Sequence, residues 1–247
     1  MHLVFDLGNS LHKCTVFNGD EIVYQNSSTN RTGNFLKELF RQFPISNAII
    51  SSVDTEVAQL ATEILTYCSC LVLDSKTPLP IQNLYATPET LGKDRLAGVV
   101  GAWAAFPMNN LLVIDAGTCI KYDIITSEAK YLGGAISPGL AMRLKAMHNF
   151  TSRLPLIDSP AKEEWQQLSV IGDSTRAAMV SGAWLGAVEE MEGMIRRFNG
   201  LYPDLTVLMT GGDADFFELH VKRQIFARPN LVAEGLNTIL NYNMNKH

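Results

Sequence analysis

Two apolar strand-like runs, each ending in Asp-x-Gly, constrain this chain more than any other feature. Residues 2–6 lead into Asp6-Leu7-Gly8-Asn9, and Leu111 to Ile114 leads into Asp115-Ala116-Gly117-Thr118. Setting Asp6 on Asp115, 109 positions further on, also sets Gly8 on Gly117 and Leu11 on Ile120, with hydrophobic strands on both flanks. A repeat of strand, tight turn and returning strand implies a chain built twice on one plan. The expected fold is α/β: two similar halves with a cleft between them, each opening with a strand, a D-x-G turn and a hairpin.

The rest of the chain fits that plan. Residues 13–18 and 21–26 are rich in Val, Ile, Tyr and Phe around Asn18-Gly19, a strong hairpin signal. Phe35, Leu36, Leu39, Phe40 and Phe43 recur at helical spacing, and Ala48 to Ser52 reads as a short buried strand. A helix marked by Val57, Leu60, Ala61, Ile64, Leu65 and Cys68, with Asp54 as its expected N-cap, precedes the strand Leu71 to Leu73. After a Pro-bearing loop, Gly92-Lys93-Asp94-Arg95 opens a helix over 94–106. Beyond the second D-x-G, strand-like segments cover 120–126 and 130–136. A long helix from about Ser174 to Phe198 follows, then a strand from Leu205 to Met209 and the turn Thr210-Gly211-Gly212-Asp213. A terminal helix over roughly 233–245 closes the chain. The expected domains are 1–110 and 111–247, with the terminal helix able to pack back on the first.

Composition removes several classes of function. With 20 Lys and Arg against 25 Asp and Glu, the net charge is -5 and no basic cluster stands out, so no nucleic-acid partner is expected. The longest uncharged apolar stretch, Leu96 to Phe106, is 11 residues and holds two Gly, well short of the roughly 20 a membrane helix takes. The N-terminus has no basic leader and carries Asp6, so the expected compartment is the cytoplasm. The 4 Cys contain no C-x-x-C pair and read as small core residues, and the 5 His show no zinc spacing. No two glycines are separated by a single residue, which excludes G-x-G-x-x-G; Gly92-Lys93 lacks the rest of a P-loop, and no serine sits in a nucleophile elbow.

A nucleotide would therefore be held by another device. Glycine after a buried strand lets the backbone approach a ligand closely and offers N–H groups to phosphate. The neighbouring aspartate would repel phosphate unless a divalent cation or its water shell lies between. Paired D-x-G turns thus suit a metal-bound polyphosphate, with Thr210-Gly211-Gly212-Asp213 as a third backbone-accessible turn for a nucleoside. A turn-forming aspartate with no ligand is the competing reading for either turn alone.

D-L-G-N-S at 6–10, G-K-D-R at 92–95, D-A-G-T at 115–118, G-G-A-I-S-P-G at 133–139, G-D-S-T at 172–175 and T-G-G-D at 210–213 resemble type III pantothenate kinase, in order and over almost the whole chain. That family belongs to the acetate kinase, sugar kinase, heat-shock 70 and actin superfamily. The resemblance implies two ribonuclease H-like lobes in an actin-like ATPase fold, and ATP-dependent phosphorylation of the terminal hydroxyl of pantothenate, the first step of coenzyme A synthesis. It implies ATP with Mg2+, a monovalent cation (K+ or NH4+) and a homodimer.

By the same resemblance, Asp6, Leu7, Gly8, Asn9, Ser10, Leu11, His12 and Lys13 are the first phosphate-binding element, and Thr118 is a second ATP contact. Asp115 resembles the ligand of the monovalent cation. Tyr85, Gly92, Lys93, Asp94, Arg95 and Thr175 resemble the pantothenate pocket, with Asp94 as proton acceptor and Thr175 reaching the substrate from the neighbouring subunit. Three residues depart from the family's pattern: Ser10 for Thr, Ser174 for the commoner Asn, and Lys121 where a small polar residue is frequent. From the residues alone, Asp94 reads equally as an N-cap, Arg95 as a carboxylate fork or an internal ion pair, and Lys13 as a phosphate contact or an exposed strand lysine. Thr175 could simply stand in the first turn of its helix, capped by Asp173 or Ser174. Two other functions compete with the kinase: a ligand-binding regulator, which should lack one of Asp6, Asp94 or Asp115, and a phosphatase or other kinase of the superfamily.

Overall fold

A computed structural model describes residues 1–8, 12–28, 33–52 and 57–245. The proposed Asp54 cap lies outside them. The chain forms two compact units: one made of Met1–Met108, Glu128–Leu132 and Asn230–His247, the other of Asn109–Ser127 and Gly133–Pro229.

In the first unit, β1 (His2–Leu7), β2 (His12–Asn18) and β3 (Glu21–Ser28) form an antiparallel meander. β4 (Asn47–Ser52) and β5 (Ser69–Val72) continue it in parallel, in the order β3-β2-β1-β4-β5. Leu3, Val4 and Phe5 are all buried because β1 is central, with β2 and β4 on its two edges. The β2–β3 hairpin turns at Gly19, whose φ of +62° is the left-handed conformation that glycine takes without strain. Helices α1 (Gly33–Gln42) and α2 (Val57–Leu65) contribute Leu36, Leu39, Leu60 and Ile64 to the core formed with Leu3, Phe5, Val16 and Ile50.

The same unit contains β6 (Gln82–Asn83), α3 (Lys93–Ala105) and α7 (Leu231–Met244). α3 and α7 cross at glycine: a Cβ on Gly235 would collide with the Ala97 carbonyl, and one on Gly101 with the Leu231 carbonyl. Buried Asn237 fixes α7 further. Its Nδ2 donates to the Gly19 carbonyl (2.9 Å), and its Oδ1 lies 3.0 Å from His2 Nδ1.

The second unit repeats the plan. β7 (Leu111–Ala116), β8 (Cys119–Ile125), β9 (Lys130–Pro138), β10 (Thr206–Thr210) and β11 (Phe226–Ala227) run in the order β9-β8-β7-β10-β11. β7 pairs antiparallel with β8 and parallel with β10, as β1 does with β2 and β4. The start of β9, at Lys130 and Tyr131, belongs to the first unit and pairs there in parallel with β6. Helices α4 (Leu140–Asn149), α5 (Thr175–Leu201) and α6 (Ala214–His220) close the core around Ile114, Tyr122, Trp184, Met191 and Phe216. No helix among the described residues is long and apolar enough to cross a membrane.

Candidate active site

In the second unit three sequence motifs meet. Gly211, at φ +101°, packs so closely on Ala116 that a Cβ would overlap its backbone, and the Asp213 N–H donates to the Ala116 carbonyl at 2.9 Å. Gly139 fits as tightly against the carbonyls of Gly117 and Thr118, and its own N–H donates to Thr118 at 3.2 Å. D-A-G-T, T-G-G-D and the end of G-G-A-I-S-P-G therefore share one knot of backbone. The approach is open only to glycine. The Gly117 N–H is engaged by the Cys119 carbonyl at 3.2 Å, while Thr118 beside it is exposed. Burial raises the carboxyl pKa of Asp213, which stands as the first residue before α6.

The end of β9, at Ser137 and Pro138, is anchored around a carboxylate that no sequence motif marks. Glu190, midway along α5, accepts from Ser137 Oγ and from Arg143 Nη2, both at 2.5 Å, and from the Tyr122 hydroxyl at 3.4 Å. Burial pushes its carboxyl up, but the Arg143 and Ser137 donors outweigh that and hold it below the usual range. Arg143 Nε also donates to the Pro138 carbonyl at 3.0 Å. Glu190 lies 53 residues from Ser137, a separation at which no local pattern links them.

Asp115, one residue before the end of β7, is half-buried, and its Oδ2 accepts from Lys121 Nζ at 2.8 Å. Among the described residues no cluster of three or more His, Cys, Asp or Glu could hold a metal ion. An ammonium group already occupies the place where K+ or NH4+ was expected on Asp115, so the residues do not fit a free monovalent cation there. Thr175 is the exposed first residue of α5. Of the two proposed caps the structure selects Ser174, whose Oγ accepts from the Ala177 N–H at 3.3 Å.

The first unit brings Tyr85 beside Gly92 to Arg95 at the start of α3, while Thr175 lies in the second unit. The helix is capped at Gly92, with Lys93 first and Asp94 second, so Asp94 is not the N-cap. Its Oδ1 accepts the Arg95 N–H at 2.9 Å and sits beside the helix N-terminus, where a carboxylate is favoured. The Arg95 side chain is 7% exposed. Its guanidinium lies 5.3 Å from the centre of the Tyr85 ring, and Nη1 donates to the Tyr85 hydroxyl at 3.4 Å. Tyr85 stacks in turn on Tyr131 (6.1 Å, 6°), a residue missed in the sequence because its nearest signal was strand alternation. Lys93 Nζ donates to the Ser52 carbonyl at 2.9 Å, which ties α3 to the end of β4.

The first D-x-G element is partly described: Asn9, Ser10 and Leu11 lie outside the described residues. Asp6 is opposite Lys13 and Leu7 opposite His12 in the β1–β2 ladder. Leu7 is 2% exposed and belongs to the core, so only its backbone is left for a ligand. The register repeats in the second unit, where Asp115 faces Lys121.

Two similar lobes of this topology, joined to D-x-G turns, define a protein of the actin-like ATPase and sugar-kinase fold. The fold is shared at a TM-score of 0.64 with a conserved Campylobacter jejuni protein described as a candidate Baf family transcriptional activator, 20% identical over 98% of this chain and 99% of that one. It is shared at 0.54 with a ROK family protein from Streptococcus pneumoniae, 13% identical over 100% and 99%. Residues 2–197 match the family model of type III pantothenate kinase, and a type III pantothenate kinase of Christiangramia forsetii is 42% identical over 98% of this chain and 99% of its own length. The chain belongs to the type III pantothenate kinase family.

Proposed function

We infer that this chain is an ATP-dependent pantothenate kinase, transferring the γ-phosphoryl of ATP to the terminal hydroxyl of pantothenate. The observation that carries this reading is the first turn of α3, where Asp94 stands next to a buried guanidinium held on Tyr85. Arginine offers a planar fork suited to a carboxylate, the group pantothenate carries at the end remote from its terminal hydroxyl. Asp94 accepts the proton of that hydroxyl as its oxygen attacks the γ-phosphorus and the bond to the ADP oxygen breaks. Proton transfer of this kind contributes about 10² to 10⁴ in rate. Most of the remaining acceleration comes from positioning and charge neutralisation.

The β1–β2 turn, with Asp6 and Lys13, and Thr118 of the second unit are the proposed ATP contacts. Mg2+ keeps several waters and takes one or two carboxylates besides substrate phosphates, which Asp6, one residue before the end of β1, suits. When bound, it would supply charge neutralisation on the phosphates. The enzyme is proposed to act in the cytoplasm as a homodimer in which Thr175 completes the pantothenate pocket of the other subunit, with neither nucleic acid nor membrane as partner. An acceptor panel tests the reaction: purified protein with MgATP and pantothenate, glucose, N-acetylmannosamine or no acceptor, read as ADP release. Release above background only with pantothenate is expected. Release with a sugar alone would reassign the chain to another kinase of this fold.

A further inference from the structure

The ion pair at the second D-x-G turn is part of the fold. Asp115 and Lys121 are direct cross-strand partners in the β7–β8 ladder, and the 2.8 Å contact joins side chains that are 21% and 18% exposed. Both lie on rigid strands, one residue and two residues from the ends that frame Gly117-Thr118. A carboxylate in such a turn needs a positive charge beside it before a phosphate can approach. Here the chain supplies one.

We propose that Lys121 is a built-in monovalent cation: its ammonium group neutralises Asp115 in place of free K+ or NH4+, so nucleotide use does not depend on monovalent salt. A lysine ammonium carries the same unit charge as either ion and, like NH4+, presents N–H donors to surrounding oxygens. A free cation at the same carboxylate would have to displace the tethered ammonium or sit against it, and like charges at such separations repel strongly where water is partly excluded. The tether also removes the cost of capturing an ion from solution, because Lys121 is held opposite Asp115 by the strand pairing itself. The inference rests on the kinase reading for its catalytic consequence but not for its ion binding.

The test therefore has two arms, with choline chloride exchanged for KCl at constant ionic strength. The first is thermal melting of the substrate-free protein. Wild type should melt at the same temperature in both salts, whereas Lys121→Ser, with a cation-sized space beside Asp115, should gain about 3 °C or more in potassium. The second is kcat/KM for ATP. Wild type should change less than about twofold between the salts, and Lys121→Ser should fall about tenfold or more in choline and recover in potassium; Lys121→Arg, which keeps the charge, should stay salt-independent. A wild-type enzyme that loses about tenfold in choline would overturn the proposal. So would a folded Lys121→Ser indifferent to potassium in both arms, since Lys121 would then be a structural ion pair only. Should Lys121→Ser not fold, the wild-type salt response decides alone. If no acceptor supports turnover, the kinase reading fails, while the melting arm still reports on the cation site.

Discussion

Asparagine at position 94 would keep the size of the aspartate and its place in the first turn of α3 while removing its basicity. Asp94→Asn is expected to lower kcat about 10²- to 10⁴-fold at saturating pantothenate. The helix-dipole attraction that asparagine forgoes is about 0.3–1 kcal/mol, so the melting temperature should move by about 4 °C or less. Near-normal kcat with an unchanged melt would leave Asp94 as a first-turn carboxylate only. The identity of this residue was legible in G-K-D-R, but its position was not: capping at Gly92 is a backbone matter, and an N-cap aspartate and an aspartate two residues later read alike. Lys121 illustrates a different limit. It was visible as a departure from the family's pattern, yet its partner emerges only once the turn length sets the β7–β8 register and brings it opposite Asp115.

Among the elements, α3 carries the proposed base and the guanidinium, and α7 holds it in place through a crossing that only glycine permits. Gly235→Ala would drive a methyl group into the Ala97 carbonyl, and the small helix-propensity gain of alanine does not offset that overlap. Overpacking of this kind typically costs about 1–3 kcal/mol, or about 2–12 °C in melting temperature for a chain of this size. Thermal melting checks it, and a variant as stable as wild type would show that the helices separate at no cost. Strands and helices were well marked by their periodicity, and most boundaries fall within two or three residues of the expected ones. Contacts such as Asn237 to Gly19, Asp213 to Ala116 and Ser137 to Glu190 were not legible, because they join segments far apart in sequence that carry no shared local signal.

At the scale of the whole molecule, the repeat of β3-β2-β1-β4-β5 as β9-β8-β7-β10-β11 bears out the two similar lobes read from the paired D-x-G turns. The proposed homodimer has its own motivation in the segment before Thr175, where Val170 and Ile171 are 85% and 83% exposed, a pair of apolar side chains with reason to be covered. Sedimentation velocity should show a dimer at assay concentration, and Ile171→Asp should shift it toward monomer and raise the KM for pantothenate. A fully active wild-type monomer would contradict the shared pocket.

Transfer of one phosphoryl group to one particular oxygen leaves its record in the product. Wild-type protein incubated with MgATP and pantothenate should give, by mass spectrometry and phosphorus NMR, a monophosphate ester on the terminal hydroxyl in equal amount to ADP. Asp94→Asn at the same concentration should give only a trace in the same time. ADP accompanied by inorganic phosphate with pantothenate unchanged, or a phosphate on the carboxylate, would contradict the account.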